Sequence, residues 1–133
     1  MNPNRSVRTP VRLFGVSIVS SITLTCTASA ADVAKANNAD ALNLTTSWSL
    51  GALPTASDVA LWDSTVAAAN NPALGADANW GGIKITNPGG AVTIGTGANG
   101  LTIGASGVDM SSATQDAVLA PGWFVLNSNQ TLN

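Results

Sequence analysis

The sequence predicts an all-β chain wound as a single-stranded right-handed parallel β-helix, and three observations carry that expectation. Val92-Thr93-Ile94-Gly95 returns nine residues later as Leu101-Thr102-Ile103-Gly104, with Val108-Asp109-Met110 following in a similar pattern. Short strands of this kind cannot each bury a core, so they are expected to stack as coils in which each covers the apolar face of the next. The segments between them are mostly Thr, Gly, Asn, Ser and Asp, residues that form turns. Finally, Asn127 to Asn133 stops within what reads as the start of another strand, so the solenoid is expected to be truncated at its C-terminus. Regularly spaced short strands also suit a small β-sandwich, and the unfinished end argues against that alternative.

The first thirty residues set the compartment. Arg5, Arg8 and Arg12 precede an uncharged stretch from Leu13 to Cys26, and Ala28-Ser29-Ala30 offers a small-residue cleavage site. These are the three parts of a secretory signal peptide. The apolar stretch is too short and too rich in Ser and Thr for a membrane span. Lipidation at Cys26 is disfavoured by Thr25, which is bulkier than the residue such a site prefers before its cysteine. Residues 1–30 are therefore expected to be a signal peptide, 31–47 a leader or N-terminal cap, and 48–133 the start of the solenoid, secreted or held at a bacterial outer surface.

Removal of residues 1–30 leaves Lys35 and Lys84 against seven aspartates, a net charge of −5. An acidic surface without a basic cluster argues against nucleic acid and against anionic membranes, because both demand Lys or Arg to neutralise phosphate. No cysteine remains, so about 100 residues must bury a core without disulfides.

Within that segment, Trp48 to Pro54 reads as a loop with an aromatic anchor, and Asp58 to Trp62 as the first strand. A second strand, Gly82 to Thr86, places Ile83 and Ile85 on one face and Lys84 in solvent, and Asn87-Pro88-Gly89-Gly90 ends it as a turn. Val92 and Ile94, Leu101 and Ile103, Val108 and Met110, Val118, Phe124 and Leu126 then supply inward positions at short intervals.

The run from Trp48 to Leu132 resembles the N-terminal region of bacterial secreted proteins with autotransporter-associated β-strand repeats. The matching stretches are Leu53 to Ala60, Trp80 to Ile85, Gly107 to Met110 and Asn129 to Leu132. The resemblance implies a long extracellular β-helix, usually many repeats longer and often ending in an outer-membrane barrel or a sorting segment. It implies no catalytic residue.

Chemistry is sparse by composition. The segment after Ala30 has no His, Cys, Tyr, Glu or Arg, which removes the usual general base, nucleophile pairs and soft metal ligands. Asp58 and Asp63 are the one carboxylate pair worth weighing for glycoside hydrolysis, but odd spacing puts them on opposite faces of a regular strand. They read better as flanking residues that bond nearby amides in turns. Gly95-Thr96-Gly97-Ala98-Asn99-Gly100 matches a dinucleotide fingerprint but is followed by a strand where a helix N-terminus is required. A calcium roll needs an aspartate in each turn, and Gly95–Gly100 and Gly104–Gly107 hold none. Asp109 and Asp116 are expected to be solvated rather than to bind an ion. No catalytic residue, cofactor or metal is expected.

Tryptophan offers the best binding hint. Trp62 and Trp80 are expected to cap an open end of the solenoid, while Trp48 and Trp123 are candidates for stacking on a sugar face. The function expected is a structural, non-catalytic β-helix segment with adhesive loops. The alternative is a carbohydrate-binding or polysaccharide-associated module, with extracellular polysaccharide or cell-surface components as partner. Self-association through an open solenoid end, around Phe124, Leu126 and Leu132, is also expected. Export is expected to remove residues 1–30: mass spectrometry of the released protein should find Ala31 at the N-terminus, and a chain retaining Met1 would refute the assignment of compartment.

Overall fold

Alternating apolar residues make strands only where the exposed backbone edge finds a partner, and here each coil supplies the partner of the next. The computed structural model describes residues 30–130. Seven strands appear among them: β1 (Asp32–Ala34), β2 (Val59–Trp62), β3 (Ala78–Ile85), β4 (Val92–Ile94), β5 (Gly100–Asp109), β6 (Ala117–Leu119) and β7 (Trp123–Leu126). A five-stranded sheet runs β1-β2-β3-β5-β7 and a two-stranded sheet pairs β4 with β6, every ladder parallel. The chain is a β-solenoid, as expected.

Register gives the length of a coil. Val59 pairs with Gly82 and Gly82 with Gly107, steps of 23 and 25 residues, while Ala78, Leu101 and Phe124 pair at steps of 23. The nine-residue repeat is therefore not the coil. Val92–Ile94 and Leu101–Ile103 lie on two sides of one turn of the solenoid, in different sheets. They look alike because each supplies two inward aliphatic residues around an outward threonine, whichever side of the coil it occupies.

β3 and β5 each serve two sides. Ala78–Trp80 pair with Leu101–Ile103 and Gly82–Lys84 with Gly107–Asp109, with the register shifting between Trp80 and Gly82. Gly104 to Ser106, three residues opposite the single Gly81, take up this shift, so Leu101–Ile103 and Val108 belong to one long strand rather than to two coils. Three parallel stacks result. The first contains Val33, Ala60, Ile83 and Val108; the second Val92 and Ile94 below Ala117 and Leu119; the third Ala78, Leu101 and Phe124 beside Trp80, Ile103 and Leu126.

The inward members form one core, in which Ala60, Trp62, Val92, Ile94, Leu101 and Ile103 are fully buried. In β2, Ala60 and Trp62 face inward and Leu61 is half-buried, a choice of face that alternation alone left open. In β6 the inward residues are Ala117 and Leu119, whereas Val118, expected inside, is 54% exposed. Lys84 lies outward as expected and meets Asp32 at 3.3 Å, a surface pair worth little.

The first coil differs from the expected plan. Asp32–Ala34 is already a rung, paired with Val59–Leu61, so the solenoid begins before Trp48. Only Val33 of this strand is apolar and buried, which is too short a pattern to read from sequence. After β1 the chain folds back over its own edge. Lys35 bridges Trp48 in antiparallel fashion, Ala36 N donates to Ser47 O at 2.8 Å, and Ser49 N donates to Ala34 O at 2.9 Å. A 3-10 turn, Thr45–Ser47, closes the loop.

Lys35 is wholly buried in this cap. Its ammonium donates to Ala36 O (2.9 Å), Asn38 O (2.8 Å) and Asn38 Oδ1 (2.8 Å), one acceptor for each proton. Burial holds the ammonium below the usual lysine range, against the opposing pull of Asp40.

Close backbone approach also fixes the coils. A Cβ on Gly89 would overlap the carbonyl of Ala67 in the preceding coil, where Gly89 N donates to Val66 O at 2.7 Å. Gly89→Ala should therefore cost about 2 kcal/mol through overpacking, a fall of roughly 10 °C in the thermal midpoint. For Lys35, the unfolded chain holds its proton more tightly than the folded one, so stability should rise with pH on the alkaline side, up to the ordinary lysine value of 10.5. Lys35→Met should lower stability at neutral pH by about 2 kcal/mol, because three charge-assisted hydrogen bonds are lost while each acceptor keeps a second donor, Asn38 N, Asn70 Nδ2 or Asp40 N, and should remove that alkaline rise. Urea unfolding at a series of pH values measures both.

Candidate functional site

The features that could engage another molecule follow from how the stacks end. Every inward ladder that passes through the core reaches the last described coil. Val108, Met110, Ala117, Leu119, Phe124 and Leu126 are its final members, and below them lie Ile83 and Ile85. Together they line a cavity of about 300 Å³ that opens at the C-terminal end of the described residues. Phe124 and Leu126 are 40% and 44% exposed, although the residues they continue, Leu101 and Ile103, are fully buried. The expectation of an apolar cross-section around Phe124 and Leu126 agrees with this geometry; Leu132 lies outside the described residues. Alternation alone did not reveal that Val108, Met110 and Leu119 share the same face, because that depends on the length of the coil.

A second concavity, about 360 Å³, lies near the other end. Leu53, Pro54 and Leu74 form apolar parts of its wall, and Asn43, Asp77 and Asn79 bring polar side chains. Asp77 is partly engaged, since its Oδ1 accepts from Gly100 N at 2.8 Å and ties two coils together. Sequence reasoning did not find this groove: its residues come from separate coils.

The two tryptophans proposed for stacking have different fates. Trp48 is 2% exposed and its indole N–H donates to Leu42 O at 3.0 Å, so its ring has no face free for a ligand. It packs edge-on against Trp62 and Trp80, with ring centroids 5.8 and 5.7 Å away. Sugar stacking at Trp48 is thus corrected to a place in the core, for which an aromatic followed by a loop gave no warning. Trp62 and Trp80, expected to cap an open end, are the other members of this cluster, at the end that the first coil closes. Trp123 is 46% exposed and its ring lies against Gly100, where a Cβ would overlap it. One side of the ring is therefore taken by the preceding coil, and the structure does not bring it near Trp48.

The carboxylates serve local turns. Asp58 Oδ2 accepts from Thr55 N (2.9 Å) and Thr55 Oγ1 (2.6 Å), and these bonds hold its carboxyl below the usual carboxylate range. Asp63 Oδ1 accepts from Thr65 N at 2.8 Å. Asp109 Oδ1 accepts from Ser111 N and Oγ at 2.9 and 2.7 Å, with the same lowering effect, while Lys84 contributes weakly. The glycine-rich run Gly95–Gly100 links β4 to β5, and Gly95 and Gly97 have φ of 80° and 125°, a region that side chains avoid. No three potential metal ligands of the His, Cys, Asp and Glu type are grouped among the described residues. No helix among them is long and apolar enough to cross a membrane.

No protein-family model, curated protein or solved structure matches the chain.

Proposed function

We propose that the chain is a secreted or surface-displayed structural β-helix segment, adhesive through its loops and without catalytic activity of its own. One observation carries the reading: six of the seven aspartates after Ala30 use their carboxylates to build the coil. Asp58, Asp63 and Asp109 close turns, Asp40 accepts from Thr46 Oγ1 at 2.6 Å, Asp77 binds Gly100 N and Asp32 pairs with Lys84. A group held ionised in an exposed turn is a poor general acid at neutral pH, and no histidine is present to take that role. The compartment rests on the charged flank, apolar stretch and small-residue site of the first thirty residues.

The carbohydrate-binding alternative draws support from the groove beside Leu53, Asp77 and Asn79 and from the exposed ring of Trp123. Sugars are held by this mixture of apolar face and polar edge. It is the weaker reading because the groove and Trp123 are not brought together.

Antibody labelling of intact producing cells, with the culture fluid assayed in parallel, tests the leading reading; recovery of the chain only from the cytoplasm would refute it. In the same preparation, polysaccharide incubation should release no new reducing ends, and Asp58→Asn and Asp63→Asn should behave as the parent does. Cleavage that either substitution abolishes would establish an enzyme instead.

A further inference from the structure

We propose that the groove between Leu53, Asn43 and Asp77 is a binding site for a short run of neutral sugar residues. The proposal rests on the adhesive reading above and names what the loops hold. The walls of the groove are fixed by backbone bonds that need no ligand. Leu42 N and Asn43 N donate to Ala73 O and Leu74 O at 2.9 and 3.0 Å, which ties the cap loop to the next coil. Gly81 N donates to Thr55 O at 3.1 Å, and Asp58 Oδ2 accepts from the Thr55 amide and hydroxyl, so the wall at Leu53 and Pro54 is anchored as well. Gly75 has a φ of 76°, and a Cβ there would overlap the Asn43 side chain, so this amide lies directly against backbone. A site held in one shape loses little freedom when a ligand binds.

The polar groups of the groove keep bonding capacity to spare. Asp77 Oδ1 accepts from Gly100 N at 2.8 Å, which holds the carboxylate in place, while Oδ2 has no partner among the described residues. The exposed amides of Asn43 and Asn79 likewise bond no other described residue. A sugar hydroxyl both donates and accepts, so neighbouring hydroxyls can donate to the carboxylate and accept from an amide. Leu53, Pro54 and Leu74 supply an aliphatic surface for the C–H face of a sugar ring. At about 360 Å³ the groove lies within the roughly 300–1,000 Å³ of small-molecule sites. Charge narrows the class of ligand. No cation lines the groove, since Lys35 is buried in the cap and Lys84 pairs with Asp32. An acidic sugar or a phosphate would meet the Asp77 carboxylate with nothing to offset the repulsion, whereas a neutral sugar meets none.

Magnetic-resonance titration of the isotope-labelled chain as the cell releases it is the test, with maltotriose, cellotriose, triacetylchitotriose and trigalacturonic acid as probes. At least one neutral probe should shift the side-chain amide signals of Asn43 and Asn79 saturably, and the acidic probe should not. Asp77→Asn keeps an oxygen for Gly100 N but removes the charge, so it should weaken that binding about tenfold. Leu53→Asp, at a 42% exposed position on the wall, should abolish it, whereas Leu50→Asp, 81% exposed and outside the groove, should leave it unchanged. A thermal melt checks that each variant is folded. The proposal is overturned if no neutral probe shifts these amides, if the acidic probe binds as tightly, or if folded Leu53→Asp binds as the parent does. Shifts confined to the Trp123 indole also overturn it, while leaving a carbohydrate-binding module in place. The surface location is judged separately by the antibody labelling, so failure of the groove is distinct from failure of that reading.

Discussion

The constraint on which the rest depends is the register between neighbouring coils. Parallel pairing at a first step of 27 residues and then at steps of 23 to 25 brings like residues above like, Ile83 above Ala60 and below Val108, Leu101 between Ala78 and Phe124. Each coil alone exposes a row of backbone groups and a thin layer of aliphatic side chains, and neither is stable in water. Stacked, the same groups satisfy one another. A shift by one residue would turn every inward side chain outward, which is why short strands of three or four residues suffice once their neighbours are in place.

The two ends show what the register costs. A solenoid must terminate its stacks, and at the N-terminal end the chain does so with its bulkiest apolar residues and a buried lysine. Trp48, Trp62 and Trp80 fill the cross-section, and the Lys35 ammonium gathers carbonyl and amide oxygens of the loop from Ala36 to Asn38 into one network. At the other end the last aliphatic layer is left half-exposed.

Much of this was legible in the residues. Ile83 and Ile85, Val92 and Ile94, and Leu101 and Ile103 declare their strands because each pair flanks a polar residue. The turn roles of Asp58 and Asp63 follow from their placement beside a strand. Three things were hidden, each for a physical reason. The coil length was masked by the likeness of Val92–Gly95 to Leu101–Gly104, since inward strands on two sides of one coil obey the same alternation. The burial of Lys35 was hidden because a charge signals solvent unless its acceptors, here contributed by a loop, are known. The face of β6 was ambiguous because apolar residues stand on both faces: Ala117 and Leu119 point inward, and the outward Val118 is larger than Ala117.

The coil length is the central claim, and directed disulfide formation measures it. Thr102 and Val125 are register partners on adjacent coils. Parallel strands lie about 4.8 Å apart, within the span that a disulfide bridges. In a chain without Cys26, the pair Thr102→Cys and Val125→Cys should cross-link on mild oxidation, seen as protection from thiol labelling. The pair Thr93→Cys and Thr102→Cys, nine residues apart and in different sheets, should keep both thiols free. Cross-linking of the second pair and not the first would mean that the nine-residue repeat is the coil after all, and would contradict this account of the fold.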